Sequence, residues 1–148
     1  MRFHGVRAYF LLALIGWGVA TSFGGEAGRA MLVIVVEGSK NTDGAIVVSV
    51  FGSEETFLKE AIFWRKAEPD PSGRTVITFD RAEFPPEFAI SLYHDVNDNG
   101  KLDTGFMRIP KEPYGFSNNP GFRMGPPKFK PSILVRDEVE GDIVIRLK

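Results

Sequence analysis

The sequence predicts an all-β fold, a small antiparallel β-sandwich, on three observations. Its apolar residues fall in short β-branched runs, turn-forming Gly, Asn, Asp and Pro separate the runs, and only one stretch carries a helical stripe. A chain of 148 residues has the length of one domain, long enough to bury most of its apolar surface in a single core.

The first residues stand apart from this pattern. Arg2 and Arg7 precede an unbroken apolar run at 8–20, and mostly small residues follow at 21–25. That order is expected of a signal peptide over residues 1–25, which leaves a β-sandwich domain at 30–148 and predicts export to the periplasm or beyond. The run is shorter than the ~20 residues that cross a bilayer as a helix, so no integral span is expected after cleavage. An uncleaved anchor that recruits the following residues is the alternative.

Within the domain, MLVIVVE at 31–37 and AIVVSVF at 45–51 read as two buried strands. Asp43-Gly44 between them predicts an antiparallel hairpin. Ser53 is placed to cap one short helix, with Glu54 and Glu55 in its first turn and Phe57, Leu58, Ala61 and Ile62 as its apolar stripe. Thr75, Ile77 and Phe79 alternate with Val76 and Thr78 in the manner of a half-buried strand, and Phe84-Pro85-Pro86 turns the chain into another strand at 89–94. Residues 104–131 hold six of the ten prolines and several aromatics without a period, which predicts a long ordered loop. Strands at 133–136 and 142–147 end the chain. This strand count suggests an immunoglobulin-like or transthyretin-like sandwich.

Composition excludes several functions. There is no cysteine, hence no disulfide framework and no thiolate metal site. Without Arg2 and Arg7, 16 basic side chains face 19 acidic ones, a net charge of −3. Nucleic acid, whose phosphates demand a basic stripe, is thereby disfavoured as a partner, and so is an anionic membrane surface.

The sharpest motif is DVNDNGKLD at 95–103, which has the D-x-[DN]-x-[DN]-G opening of a calcium loop. A hard cation requires several oxygens at short range. Asp95, Asn97 and Asn99 supply side-chain oxygens, Lys101 its backbone carbonyl and Asp103 a second carboxylate, so calcium is the expected ion. Phe106 stands where an EF-hand has its bidentate glutamate, and no helices flank the loop, so this is not an EF-hand. With two charged ligands, affinity should be near the ~10⁻⁴ to 10⁻³ M of extracellular modules. The same residues also suit a plain Asn-Gly turn, and both readings stand at this point.

Catalysis has few candidates. His94 is the one imidazole beyond the leader, neither Ser91 nor Ser117 lies in a G-x-S-x-G elbow, and Asp80, Glu83, Glu112 and Glu138 read mostly as surface carboxylates. Phe106, Tyr114, Phe116, Phe122 and Phe129 are candidates for a ligand-binding platform, with packing of the long loop as the competing use.

YHDVNDNGKLD at 93–103, IPKE at 109–112, YGFSNN at 114–119 and GPPKF at 125–129 together resemble the exported bacterial domain-of-unknown-function family 2141, over about residues 32–147. The resemblance implies a secreted or periplasmic β-sandwich and carries over no reaction. The expected function is a non-catalytic binding or structural module of the cell envelope, calcium-stabilised, meeting a protein or glycan partner; the alternative is a small envelope hydrolase using surface carboxylates.

Overall fold

The computed structural model describes residues 30–121 and 125–148. The expected signal peptide at 1–25 and the candidate Phe122 lie outside these residues. The described chain is a two-sheet β-sandwich. Strands β1 (Met31–Glu37), β4 (Arg74–Asp80) and β8 (Ile143–Arg146) form one sheet in the order β4-β1-β8. Strands β2 (Ala45–Phe51), β3 (Phe63–Ala67), β5 (Glu87–Asp95) and β6 (Tyr114–Phe116) form the other in the order β3-β2-β5-β6, with β7 (Ile133–Val135) also pairing β5. All pairs are antiparallel except β1 with β8, which run parallel.

The all-β sandwich is as the sequence predicts, but β3 forms where no strand is expected, the expected loop at 104–131 contains β6 and a short helix, and two expected elements take another form. The expected β1–β2 hairpin is instead an arch between sheets. β2 is almost wholly buried and β1 is buried along its middle, on both faces in each case, so each takes the centre of its own sheet, β1 between β4 and β8, β2 between β3 and β5. Gly44 is needed where the arch passes the end of β5: its φ is +65°, and a Cβ there would lie 1.8 Å from the Asp95 carbonyl oxygen. The expected Ser53-capped helix is a turn. The Ser53 hydroxyl accepts from Thr56 N–H at 3.4 Å, but Leu58 enters the left-handed region at φ 59° and stops propagation. The short helix lies later, as α1 (Phe129–Ser132).

The core between the sheets contains Leu32, Ile34, Val36, Ile46, Val48, Val50, Phe79, Phe84, Phe88, Ile90, Leu92 and Ile145. Burying each large aliphatic or aromatic chain stabilises by roughly 1.5–3 kcal/mol. A second cluster sits on the opposite side of the larger sheet, where Phe51, Phe57, Ala89, Phe116 and Phe129 pack together. Phe57 joins it from the 53–62 turn, 5.3 Å from the Phe51 ring and 5.5 Å from Phe129.

One side of the sandwich is closed by β6. Its inner edge pairs β5, and its outer edge exchanges bonds with Lys148 through Tyr114 N–H to Lys148 O (3.3 Å) and Lys148 N–H to Tyr114 O (3.0 Å). Asn119 continues the closure, donating to Val144 O and accepting from Arg146 N–H, both at 2.7 Å. Gly115 permits the approach, since a Cβ there would meet Ile145 Cγ2 at 2.7 Å and Arg146 O at 2.9 Å. Satisfying this edge internally removes a template for aggregation.

Candidate functional site

The loop at 95–103 leaves the end of β5 and folds around the Asp95 carboxylate. Asp95 is fully buried; its Oδ1 accepts from Asn99 N–H (3.0 Å) and its Oδ2 from Gly100 N–H (2.8 Å). The left-handed backbone at Asp98 (φ 51°) and Gly100 (φ 78°) turns these amides inward. Asn97 and Asn99 close Asx turns, their amide oxygens accepting from Asn99 N–H (3.2 Å) and Lys101 N–H (2.9 Å). Their amide nitrogens donate to the two oxygens of Asp103, at 2.8 and 3.1 Å. Asp95, Asn97, Asn99 and Asp103 are therefore one hydrogen-bonded cluster, joined through Asn99. Lys101 is exposed.

Two residues that sequence reasoning did not assign to this loop hold it in place. Glu112, read as a surface carboxylate, is buried; its Oε1 accepts from Val96 N–H (2.9 Å) and its Oε2 from Asp103 N–H (2.8 Å), which clasps the two ends of the loop. Lys66, on β3 beyond β2, bonds Asp98 at 2.5 Å and lies 4.0 Å from Asp95 Oδ2. The hydrogen bond to Asp98 raises the Lys66 pKa. Nearby, burial pushes the Tyr93 phenol up, with the Asp95 and Glu112 carboxylates adding to the rise. The only signal for Glu112 in the sequence is its place after Pro110-Lys111, where the chain returns to the loop base.

Among the described residues, no three His, Cys, Asp or Glu side chains gather as metal ligands. The candidate donor set is two carboxylates, two amides and a carbonyl. All are oxygen donors, the chemistry a hard cation favours, and an ion would have to exchange the Asn97 and Asn99 amide hydrogens on Asp103 for their oxygens.

The groups considered for catalysis occupy structural positions. His94 is 1% exposed and faces the core; its Nε2 is 2.7 Å from Asp43 O and thus carries the proton, holding the arch. Ser117 is fully buried, accepts from Ile90 N–H (2.9 Å) and donates to Ser132 O. Asp80 and Glu83 form a capping box on the 3-10 turn Arg81–Glu83, and Glu83 pairs with Arg65 at 2.6 Å.

The aromatic candidates divide. Phe116 and Phe129 are buried in the second cluster, so the rings singled out from the sequence do not make one exposed platform; packing takes these two. Tyr114 is half-buried, 5.9 Å from the Phe116 ring, beside a cleft of about 660 Å³ lined by Tyr114, Phe116, Pro126, Lys128, Arg146 and Lys148 among others. Phe106 is 88% exposed at the tip of a separate hairpin.

Among the described residues no helix is long and apolar enough to cross a membrane. No curated protein and no solved structure matches the chain. A family model described as an uncharacterized protein conserved in bacteria (DUF2141) matches residues 34–142, a stretch that begins inside β1, ends just before β8 and contains the whole 95–103 loop with its Glu112 clasp. The chain belongs to that family.

Proposed function

We propose that this chain is a non-catalytic binding or structural module of the cell envelope, stabilised by calcium in the 95–103 loop, which meets a protein or glycan at the cleft beside Tyr114. The observation that carries the non-catalytic reading is the use made of the reactive groups. His94, Ser117 and Glu112 are all buried and hydrogen-bonded into the frame, where an acid, base or nucleophile would have to reach a substrate. The cleft beside Tyr114 supports binding: its volume is within the range of small-ligand sites, and no Asp, Glu or His lines it among the described residues.

Calcium is supported by the oxygen-only donor set and by the gathering of Asp95, Asn97, Asn99 and Asp103 into one cluster. An ion bound by the folded loop alone stabilises the fold by about 2.7 kcal/mol at a hundredfold excess over its dissociation constant. The melting midpoint should therefore rise in millimolar calcium relative to chelator, and Asp95→Ala with Asp103→Ala should remove the rise. Magnesium should do less, because its rigid octahedral shell suits an Asn-rich loop poorly. Superimposable wild-type melts in chelator and calcium would show the loop to be a turn only. A hydrolytic activity that follows the purified protein would overturn the non-catalytic reading.

A further inference from the structure

We infer that the hairpin at 104–110 is a preformed wedge that inserts its tip into the surface of an anionic bilayer. Three apolar side chains stand out from it, Phe106 at 88%, Met107 at 78% and Ile109 at 62% exposure. A loose loop would fold such groups back, but this one is built. Thr104 and Pro110 pair as a β-bridge, Gly105 N–H donates to Ile109 O at 2.7 Å, and Lys111 N–H donates to Asp103 O at 2.8 Å. Consecutive left-handed residues, Met107 (φ 58°) and Arg108 (φ 57°), form the turn. Side chains pay a conformational cost there, and the closed base maintains it. The base is joined in turn to the body of the domain through Asp103 and the Glu112 clasp.

Shape and charge select the partner. The apolar groups sit on a hairpin tip rather than in a groove, so a protein would need a matching pocket, whereas a bilayer interface accepts Phe, Met and Ile without one. Arg108 and Lys111 are both exposed, and residues 104–111 contain no acid, giving the tip a local charge of +2. Asp103 at its base is engaged by Asn97 and Asn99. Long basic side chains beside a shallow apolar insertion reach lipid phosphates while their stems remain in the apolar layer. The net charge of the whole domain, −3, disfavours adhesion over a broad face; it does not describe this tip.

The absence of cysteine allows one environment-sensitive dye to be placed at Met107→Cys in the full-length chain, with Val76→Cys on β4 as an exposed control (Val76 is 53% exposed). Vesicles of phosphatidylethanolamine and phosphatidylglycerol should shift the Met107→Cys dye to the blue and expose it to nitroxide-lipid quenching, leaving the control unchanged. The apolar leader's own affinity for lipid does not produce this difference, since the dye reports its own position. Arg108→Gln with Lys111→Gln should weaken the response roughly thirtyfold, about fivefold for each basic residue near an anionic surface. Phe106→Ser should weaken it on anionic and on neutral vesicles alike. A Met107→Cys dye that remains in water while the protein sediments with vesicles would overturn the wedge. So would a blue shift that grows with protein concentration without lipid, which would identify a second copy of the chain as the partner.

Discussion

Gly44→Ala should destabilise the domain by about 2–5 kcal/mol, combining about 1–2 for a left-handed non-glycine residue and about 1–3 for overpacking. The methyl group would lie 1.8 Å from the Asp95 carbonyl oxygen, and the neighbouring contacts, Asp95 C and Val96 C at 2.8 Å, are backbone as well. No side-chain rotation relieves such a clash. The arch must move away from the end of β5, and the bond between His94 Nε2 and Asp43 O is then strained or lost. A typical domain has a total stability of only ~5–15 kcal/mol, so the change should be plain in urea unfolding. Gly100→Ala is the matched comparison: Gly100 also has positive φ (+78°), but a Cβ there meets nothing within 4 Å, so only the conformational part should be lost. Equal losses in the two variants would show that the arch does not press on the loop.

The same position shows where local sequence signals end. Asp43-Gly44 between two β-branched runs has the form of a hairpin turn, and nothing nearby contradicts it; the arch follows from β1 and β2 each being buried on both faces, a demand of the whole sandwich. Strand β4 was legible because Thr75, Ile77 and Phe79 alternate cleanly with exposed residues. Strand β3 was not, because its inward position between Phe63 and Ala67 is Arg65, which covers the core edge by lying 4.8 Å from the Phe79 ring centroid and pairing with Glu83. Strand β6 is three residues around a glycine. It becomes a strand only because β5 and Lys148 bond it from either side.

The candidate loop was legible in its Asx spacing, since those side chains close turns with their own backbone. Its support was not, since a glutamate after Pro-Lys carries no mark of burial until Val96 and Asp103 are seen to converge on it. Phe116 and Phe129 likewise disclose their destination only through Phe57, which reaches them from a turn more than fifty residues away in sequence.

Glu112→Ala should cost about 2–6 kcal/mol, since each stripped amide carries a penalty of about 1–3 kcal/mol, with the lower half of the range expected where water can reach Asp103. Removing the carboxylate leaves Val96 N–H and Asp103 N–H without their acceptor and frees the two ends of the loop from one another. Glu112→Gln keeps the shape and one acceptor but turns an amide nitrogen toward the other N–H, so it should recover only part of the loss. Hydrogen exchange should locate the effect: Val96 and Asp103 amides should lose protection in Glu112→Ala, while the β1 and β2 amides keep theirs relative to the new global stability. The proposed thermal response to calcium should fall in the same variant, because Asp103 would no longer be held in fixed register with Asp95. If Glu112→Ala unfolds at the wild-type urea concentration with protection at Val96 and Asp103 intact, the clasp is not what organises this loop, and its order must come from the Asp95 carboxylate and the Asx turns alone.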